Sequence, residues 1–273
     1  MCTRKNFIKP DFLSLTTHQI AIGLKETGTI FSTASSFLYE YEGRIFLITN
    51  WHNVTGRNPI TGKPLSNKHN GIPDIFMTYF RLKDEPGSAL KNIIRIYEDE
   101  HMSKPRWLVH PDYKERVDVV AIELEKSEKF IYSPINNANF DEDIPPEIAD
   151  ECFVIGYPFS EFRYLGLPIW KKASIATEPT VNEDQLPKLL IDTATRSGLS
   201  GSPVVFQRVG VHKVGANGNL QDDSLIGRIR SFLGIYSGRI GKGEIQAQLG
   251  IVWKGRVIKE IIEGGRKGDI DFY

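Results

Sequence analysis

Runs of β-branched and aromatic residues, broken by glycine, proline and polar turn residues, recur along the whole chain. They include GTIFSTASSFLYEY (28–41), GRIFLIT (43–49), DIFMTYFRL (74–82), NIIRIYE (92–98) and VDVVAIEL (117–124). CFVIGYP (152–158), KLLIDTA (188–194), SPVVFQRV (202–209), RSFLGIYSG (230–238) and AQLGIVWKG (247–255) continue the series. Runs of this length and spacing predict an all-β sandwich or barrel. No long amphipathic helical pattern alternates with them, which argues against a doubly wound parallel sheet. Helix is expected in two places only. One is a short turn around ITNWHNV, and the other is GRVIKEIIEGG, where Val257, Ile258, Ile261 and Ile262 share one face and glycines follow as a stop.

The stretch SPINNANFDEDIPPEIAD (133–150) is polar, acidic and proline-rich, as a linker between two halves would be. It divides the chain into 1–135 and 136–273, each with enough strand candidates for a small barrel. A second polar insert, KVGANGNLQDDS (213–224), reads as a long surface loop. No internal repeat is visible.

Charge adds little to this picture and excludes some partners. Lysine plus arginine and aspartate plus glutamate are 34 each, so the net charge gives no support for broad attraction to nucleic acid or to an anionic membrane. Two cysteines, Cys2 and Cys152, lie far apart and do not read as a disulfide framework, which suits a reducing compartment. The N-terminal stretch lacks the apolar core of a secretory signal, and no apolar run is long enough to span a bilayer, so a cytoplasmic location is expected.

Three segments carry candidate chemistry. In RSGLSGSPVVF (196–206), Gly198 and Gly201 flank Ser200 and free the backbone for a tight turn, in which the amides of Gly198 and Ser200 could meet a developing oxyanion. Taken alone, the segment reads more readily as a glycine-serine turn before a strand. It lacks the G-x-S-x-G spacing of an α/β-hydrolase elbow. His52, in ITNWHNV, follows an apolar strand where an imidazole could stand at a barrel rim, and Asp118 opens the strand VDVVAIEL. Serine needs a base, and the base needs an orienting carboxylate, so the three residue types together suit nucleophilic acyl transfer. No histidine has zinc-like spacing to cysteine or acidic residues, and no glycine-rich loop carries a phosphate-binding ending, so no metal or cofactor is expected.

Together, ITNWHNV, VDVVAIEL, GLSGSPV and FLGIYSG occur in the order of the chymotrypsin-like serine peptidases, and the chain resembles that family over about Gly28 to Gly255. The likeness is greatest to bacterial, disulfide-free trypsin-like members. It implies two packed antiparallel β-barrels with a short C-terminal helix, and a cleft lined by His52 and Asp118 from the first barrel and Ser200 from the second. It further implies Ser200 as nucleophile, His52 as general base and acid, Asp118 as its orienting partner, and Gly198 and Ser200 as oxyanion-hole donors. Ser237 would lie on the strand that pairs with substrate, its hydroxyl near Asp118. Ala194, Thr195, Tyr236, Gly238 and Arg239 would help form the specificity pocket.

Two departures qualify the likeness. Leu199 stands where secreted members carry the aspartate that pairs with a new N-terminus, so activation of that kind is not expected. Ala194 stands at the pocket floor where an acid would select arginine or lysine, so a small or medium neutral side chain is the expected preference. The expected activity is that of a serine endopeptidase acting on a protein or peptide, with no cofactor, and with an activating or sensor protein as a further partner. The competing expectation is a catalytically silent or partner-activated peptide-binding module on the same fold.

Overall fold

A computed structural model of the chain describes residues 10–65, 71–85, 87–141, 143–159, 166–194, 196–214, 217, 219–240 and 248–270. The protein is mostly β, with two antiparallel sheets and a short C-terminal helix. After α1 (Phe12–Thr16), the first sheet contains β1 (Thr17–Gly23), β2 (Ile30–Tyr41) and β3 (Arg44–Thr49). A short helix, α2 (Trp51–Thr55), precedes β4 (Ile75–Leu82), β5 (Ala89–Arg95), β6 (Trp107–Leu108), β7 (Val120–Leu124) and β8 (Phe130–Ile131). The second sheet contains β9 (Glu151–Gly156), β10 (Ile169–Ile175), β11 (Lys188–Asp192), β12 (Pro203–Val214), β13 (Leu220–Arg239) and β14 (Leu249–Lys254), followed by α3 (Arg256–Gly264).

The ladder of the second sheet closes on itself in the order β10-β11-β14-β13-β12-β9. The first sheet runs β5-β4-β1-β2-β3-β7-β6 and, among the described residues, does not close. The expectation of two barrels is therefore corrected for the first half. β6 pairs with β7 through only Trp107 and Leu108, so the ladder ends before it can meet the β5 edge.

Strand alternation explains where the apolar side chains go. Successive residues of a strand face opposite sides of the sheet. In β3, Ile45 and Leu47 enter the core of the first sheet with Leu38, Phe76 and Trp107, while Phe46 and Ile48 face a second core between the sheets. In the second sheet, Val204 and Phe206 of β12 face the barrel interior, and Val205 faces the shared core. Near-continuous apolar runs such as RIFLIT are thus buried on both faces.

The chain ends cross between the halves. α3 packs Val257, Ile258, Ile261 and Ile262 into the shared core with Phe46, Ile48 and Val119 of the first half. The segment after it pairs with β6, Val109 N–H donating to Arg266 O and Gly268 N–H to Trp107 O. At the other end, Trp170 Nε1 donates to Ser14 Oγ at 2.8 Å, and Arg230 pairs with Asp11 at 2.6 Å.

Several details differ from the sequence reading. β1 and β10 are strands that the apolar runs did not predict, and β1 is buried along its whole length. The described residues of the insert at 213–224 are largely strand, because β12 and β13 continue as a ribbon from Val204 paired with Gly234 to Val214 paired with Leu220. Among the described residues no helix is long and apolar enough to cross a membrane.

The burial of β1 has a measurable consequence at His18, whose ring lies edge-on to Phe80. Burial lowers the His18 pKa from 6.5 to about 4; the Tyr79 carbonyl at 3.4 Å opposes this and the positive charge of Arg81 adds to it. The neutral ring is favoured in the fold, so its contribution to stability is complete above pH 6.5 and is lost as the pH falls towards 4. Urea unfolding at pH 7 and pH 4 should show the wild type losing on the order of 3 kcal/mol more than His18→Gln. Equal losses in the two proteins would contradict this account.

Candidate active site

The site is built where the end of β3 and the start of β7 meet a loop and a strand of the second sheet. β3 delivers its chain to Asn50, whose extended backbone turns into α2, and Gly56 ends that helix in a left-handed conformation with its N–H on His52 O. Asn50 Nδ2 donates to the Asp118 carbonyl at 2.7 Å, tying the His52 turn to the β7 entrance.

Asp118 is 2% exposed and receives three donors. His52 N–H donates to Oδ1 at 2.9 Å, His52 Nδ1 to Oδ2 at 2.7 Å and Ser237 Oγ to Oδ2 at 2.5 Å. A carboxylate oxygen only accepts, so this arrangement makes Nδ1 the donor and selects the neutral tautomer in which Nε2 keeps its lone pair. Ser237 occupies the register shift between Tyr236 and Gly238 in the β13–β14 pairing. A bulge of this kind re-aims one side chain out of the ladder's alternation, and here the hydroxyl it presents meets Asp118.

The Ser200 loop is held against the first sheet from both sides. Ser35 N–H donates to Ser200 O at 2.9 Å and Ser35 Oγ to Gly198 O at 2.8 Å, while Tyr157 N–H donates to Ser35 Oγ at 3.0 Å. Thr49 Oγ1 donates to Ser35 O at 2.9 Å and accepts Asn53 Nδ2 at 2.9 Å, linking α2 to the same point. From the second sheet, Gly201 N–H donates to Tyr236 O and Tyr236 N–H to Ser202 O, each at 2.9 Å. Leu199, 1% exposed, anchors the loop in the core of the second sheet.

The two serines of GLSGSP are not equivalent. Ser202 is fully buried, and a Cβ on Gly156 would lie 1.9 Å from its Oγ. Ser200 is only half-buried. Among the described residues, no acceptor is paired with the N–H of Gly198 or Ser200, and Ser200 Oγ makes no hydrogen bond to His52.

The remaining residues singled out in the sequence lie as follows. Gly238 is half-buried beside Ser237, and Ala194 and Arg239 are exposed. Thr195 lies outside the described residues. Tyr236 requires a correction: its side chain is 2% exposed, within the core of the second sheet, and does not line an open pocket. A Cβ on Gly250 would lie 2.7 Å from its Cε2, so its ring fills the space that the missing side chain leaves. Ser35, Thr49, Asn53 and Gly156 were missed. Only Gly156 carries a local signal, a glycine interrupting an apolar strand, which marks close backbone approach.

Two hollows elsewhere contain none of these residues. One of about 660 Å³ is lined by Phe80, Ile94, Tyr97, Arg106 and Tyr132 of the first half. The other, of about 780 Å³, lies beside Phe140, Phe232 and α3. The chain matches no protein-family model and no curated protein sequence.

The packing of the loop makes Gly201 intolerant of a side chain. Its φ is +82°, and a Cβ would lie 2.1 Å from Ser35 O and 2.4 Å from Thr49 Oγ1. Gly201→Ala should lower the free energy of urea unfolding by about 3 kcal/mol from backbone strain and overpacking. An unchanged midpoint would show that the loop yields freely.

Proposed function

We propose that the protein is a serine endopeptidase with a His52–Asp118–Ser200 triad on a chymotrypsin-like, two-lobed β fold whose first lobe is an incompletely closed barrel. The observation that carries this reading is the orientation of His52 by a buried Asp118 that also accepts from Ser237, with the Ser200 loop fastened to the strand beside it. An imidazole held through Nδ1 presents Nε2 as the base, which is the division of labour that nucleophilic serine requires.

In this reading Ser200 Oγ attacks the scissile carbonyl carbon as His52 Nε2 takes its proton. The carbonyl oxygen gains the electron pair and is met by the N–H groups of Gly198 and Ser200. The tetrahedral adduct collapses by expelling the amine, which receives the proton from His52, and leaves an acyl-Ser200 ester. Water then attacks the ester, His52 taking its proton and returning it to Ser200 Oγ, and the acid product departs. Asp118 stabilises the imidazolium in both halves without itself taking the proton.

The substrate is a protein or peptide. Ala194, where an acid would select arginine or lysine, favours a small or medium neutral residue at the cleavage position, and the exposed Arg196 or Arg239 could admit an acidic one. The buried, apolar Leu199 leaves no carboxylate there for a liberated N-terminus to pair with. Burial pushes the Cys152 thiol up to about 12, with Asp150 and Glu151 adding to the shift, and an unpaired cysteine suits a reducing, cytoplasmic setting.

One observation favours a second reading, a silent or partner-activated peptide-binding module: Ser200 and His52 make no hydrogen bond to each other. A fluorophosphonate probe separates the two. Ser200 should be labelled in the native protein, identified by peptide mapping, and His52→Ala should slow labelling by at least about a hundredfold, the range for loss of a general base. No labelling of Ser200, or equal labelling in His52→Ala, would overturn the active-enzyme reading. Labelling that appears only after cell lysate is added would instead identify a partner-activated form.

A further inference from the structure

We propose that Ser35 is a positioning residue that clamps the Ser200 loop to the first sheet through its side-chain hydroxyl, an inference resting on the peptidase reading only for its kinetic consequence. Ser35 is completely buried in β2, 163 residues from Gly198 in sequence. Its hydroxyl has one proton and two lone pairs. The proton goes to Gly198 O at 2.8 Å, and a lone pair accepts Tyr157 N–H at 3.0 Å. The backbone N–H of the same residue holds Ser200 O. One side chain and one amide thus fix the carbonyls of both residues whose N–H groups would receive the oxyanion.

The surrounding glycines show how closely the hydroxyl is fitted. A Cβ on Gly156 would lie 2.7 Å from Ser35 Oγ, so the preceding strand must come in bare for the hydroxyl to reach its partners. Gly198 has φ +95°, and a Cβ there would lie 2.3 Å from Tyr157 O, so the loop and the Tyr157 backbone are in contact, with the Ser35 hydroxyl bridging them. Deleting that hydroxyl leaves Gly198 C=O and Tyr157 N–H unsatisfied, or lets them close on each other and displace Gly198. Either result moves the donors. A displacement of about 1 Å at a reacting centre can cost on the order of a hundredfold in rate.

Three hydrogen bonds to neighbouring backbone converge on this residue, and the Thr49 side chain donates a fourth from Oγ1 to its carbonyl. Thr49 is supported in turn by Asn53 of α2, one residue from His52. The clamp therefore joins the turn that carries the base to the loop that carries the nucleophile, without touching substrate.

Ser35→Ala tests this, with Ser35→Cys as a second variant that keeps a weak donor on a somewhat larger atom. Amide hydrogen exchange and the kinetics of fluorophosphonate labelling are read on the full chain. Expected for Ser35→Ala are exchange at least about tenfold faster at Tyr157, Gly201 and Ser202 with β14 unchanged, a maximal labelling rate about ten- to a hundredfold lower, and half-saturation within about threefold of wild type. Ser35→Cys should fall between the two in both readouts. Exchange and labelling equal to wild type in Ser35→Ala, or in Ser35→Cys should the alanine variant not fold, would overturn the clamp. A wild type that is not labelled, with loop exchange still accelerated in Ser35→Ala, would sink the peptidase reading and leave the clamp standing.

Discussion

The structure depends on a buried carboxylate that draws its donors from both sheets. Asp118 sits at the mouth of β7 with almost no contact with solvent, and such a group is tolerated only if its oxygens are met by hydrogen bonds. Two donors come from the His52 turn of the same sheet, and the third comes from Ser237 on β13 of the other. The halves are therefore joined at a polar point as well as by the apolar core between them. Moving β13 away would leave Oδ2 with the His52 ring as its one remaining donor among the described residues, in a place that water hardly reaches. The bulge at Ser237 gives this contact its direction, since the regular alternation of the strand is interrupted at that residue.

Around that point the sheets approach closely enough that side chains are excluded. Gly156, Gly198 and Gly201 each stand where a Cβ would lie within 2.7 Å of an atom of Ser35, Thr49, Tyr157 or Ser202. Two of them also carry positive φ, so the glycines supply both the turn and the clearance. The same closeness explains why the loop needs few side chains of its own to hold it. Its backbone is hydrogen-bonded to Ser35 on one side and to Tyr236 on the other, and Leu199 fills the core beneath. Leu199 thus serves as the structural anchor of the loop.

The strands with β-branched runs were readable because β3 from Ile45 to Ile48, β7 from Val120 to Ile122 and β12 from Val204 to Phe206 are apolar and buried on both faces, so composition alone marks them. β1 was not, since Thr17, His18 and Gln19 are polar residues buried between neighbours, and the partners of His18 Nδ1 and Gln19 Nε2, Tyr79 O and Phe159 O, lie far along the chain where no local pattern shows them. β10 carries Lys171 and Lys172 in its middle and so reads as solvated chain. Closure of a ladder is likewise non-local: whether β5 meets β6 turns on how far each edge strand runs. His52, Asp118 and Ser200 were picked out by residue type and setting, and the structure puts His52 on Asp118 and the Ser200 loop on the strand next to them. Tyr236 could be read either as a pocket residue or as a core aromatic on its strand, and the structure places it in the core. Ser35 sits in STASSF, where nothing local distinguishes it from Ser32 or Ser36; its partners come from beyond residue 150.

The uneven restraint of the triad also bears on the choice between an active and a silent site. His52 is fixed by its own amide and by its ring to the two oxygens of one carboxylate, and that carboxylate is fixed by Ser237. The Ser200 backbone is fixed as well, through its carbonyl. What is left without a hydrogen bond among the described residues is the Ser200 hydroxyl itself, whose position is set by a single side-chain torsion with three staggered wells. A silent module would have no reason to orient an imidazole so completely, because peptide binding does not require a particular nitrogen to be bare. Catalytic hydrogen bonds often tighten only when substrate is present, so the open serine-histidine pair, which by itself speaks for a silent module, does not outweigh the ordered imidazole.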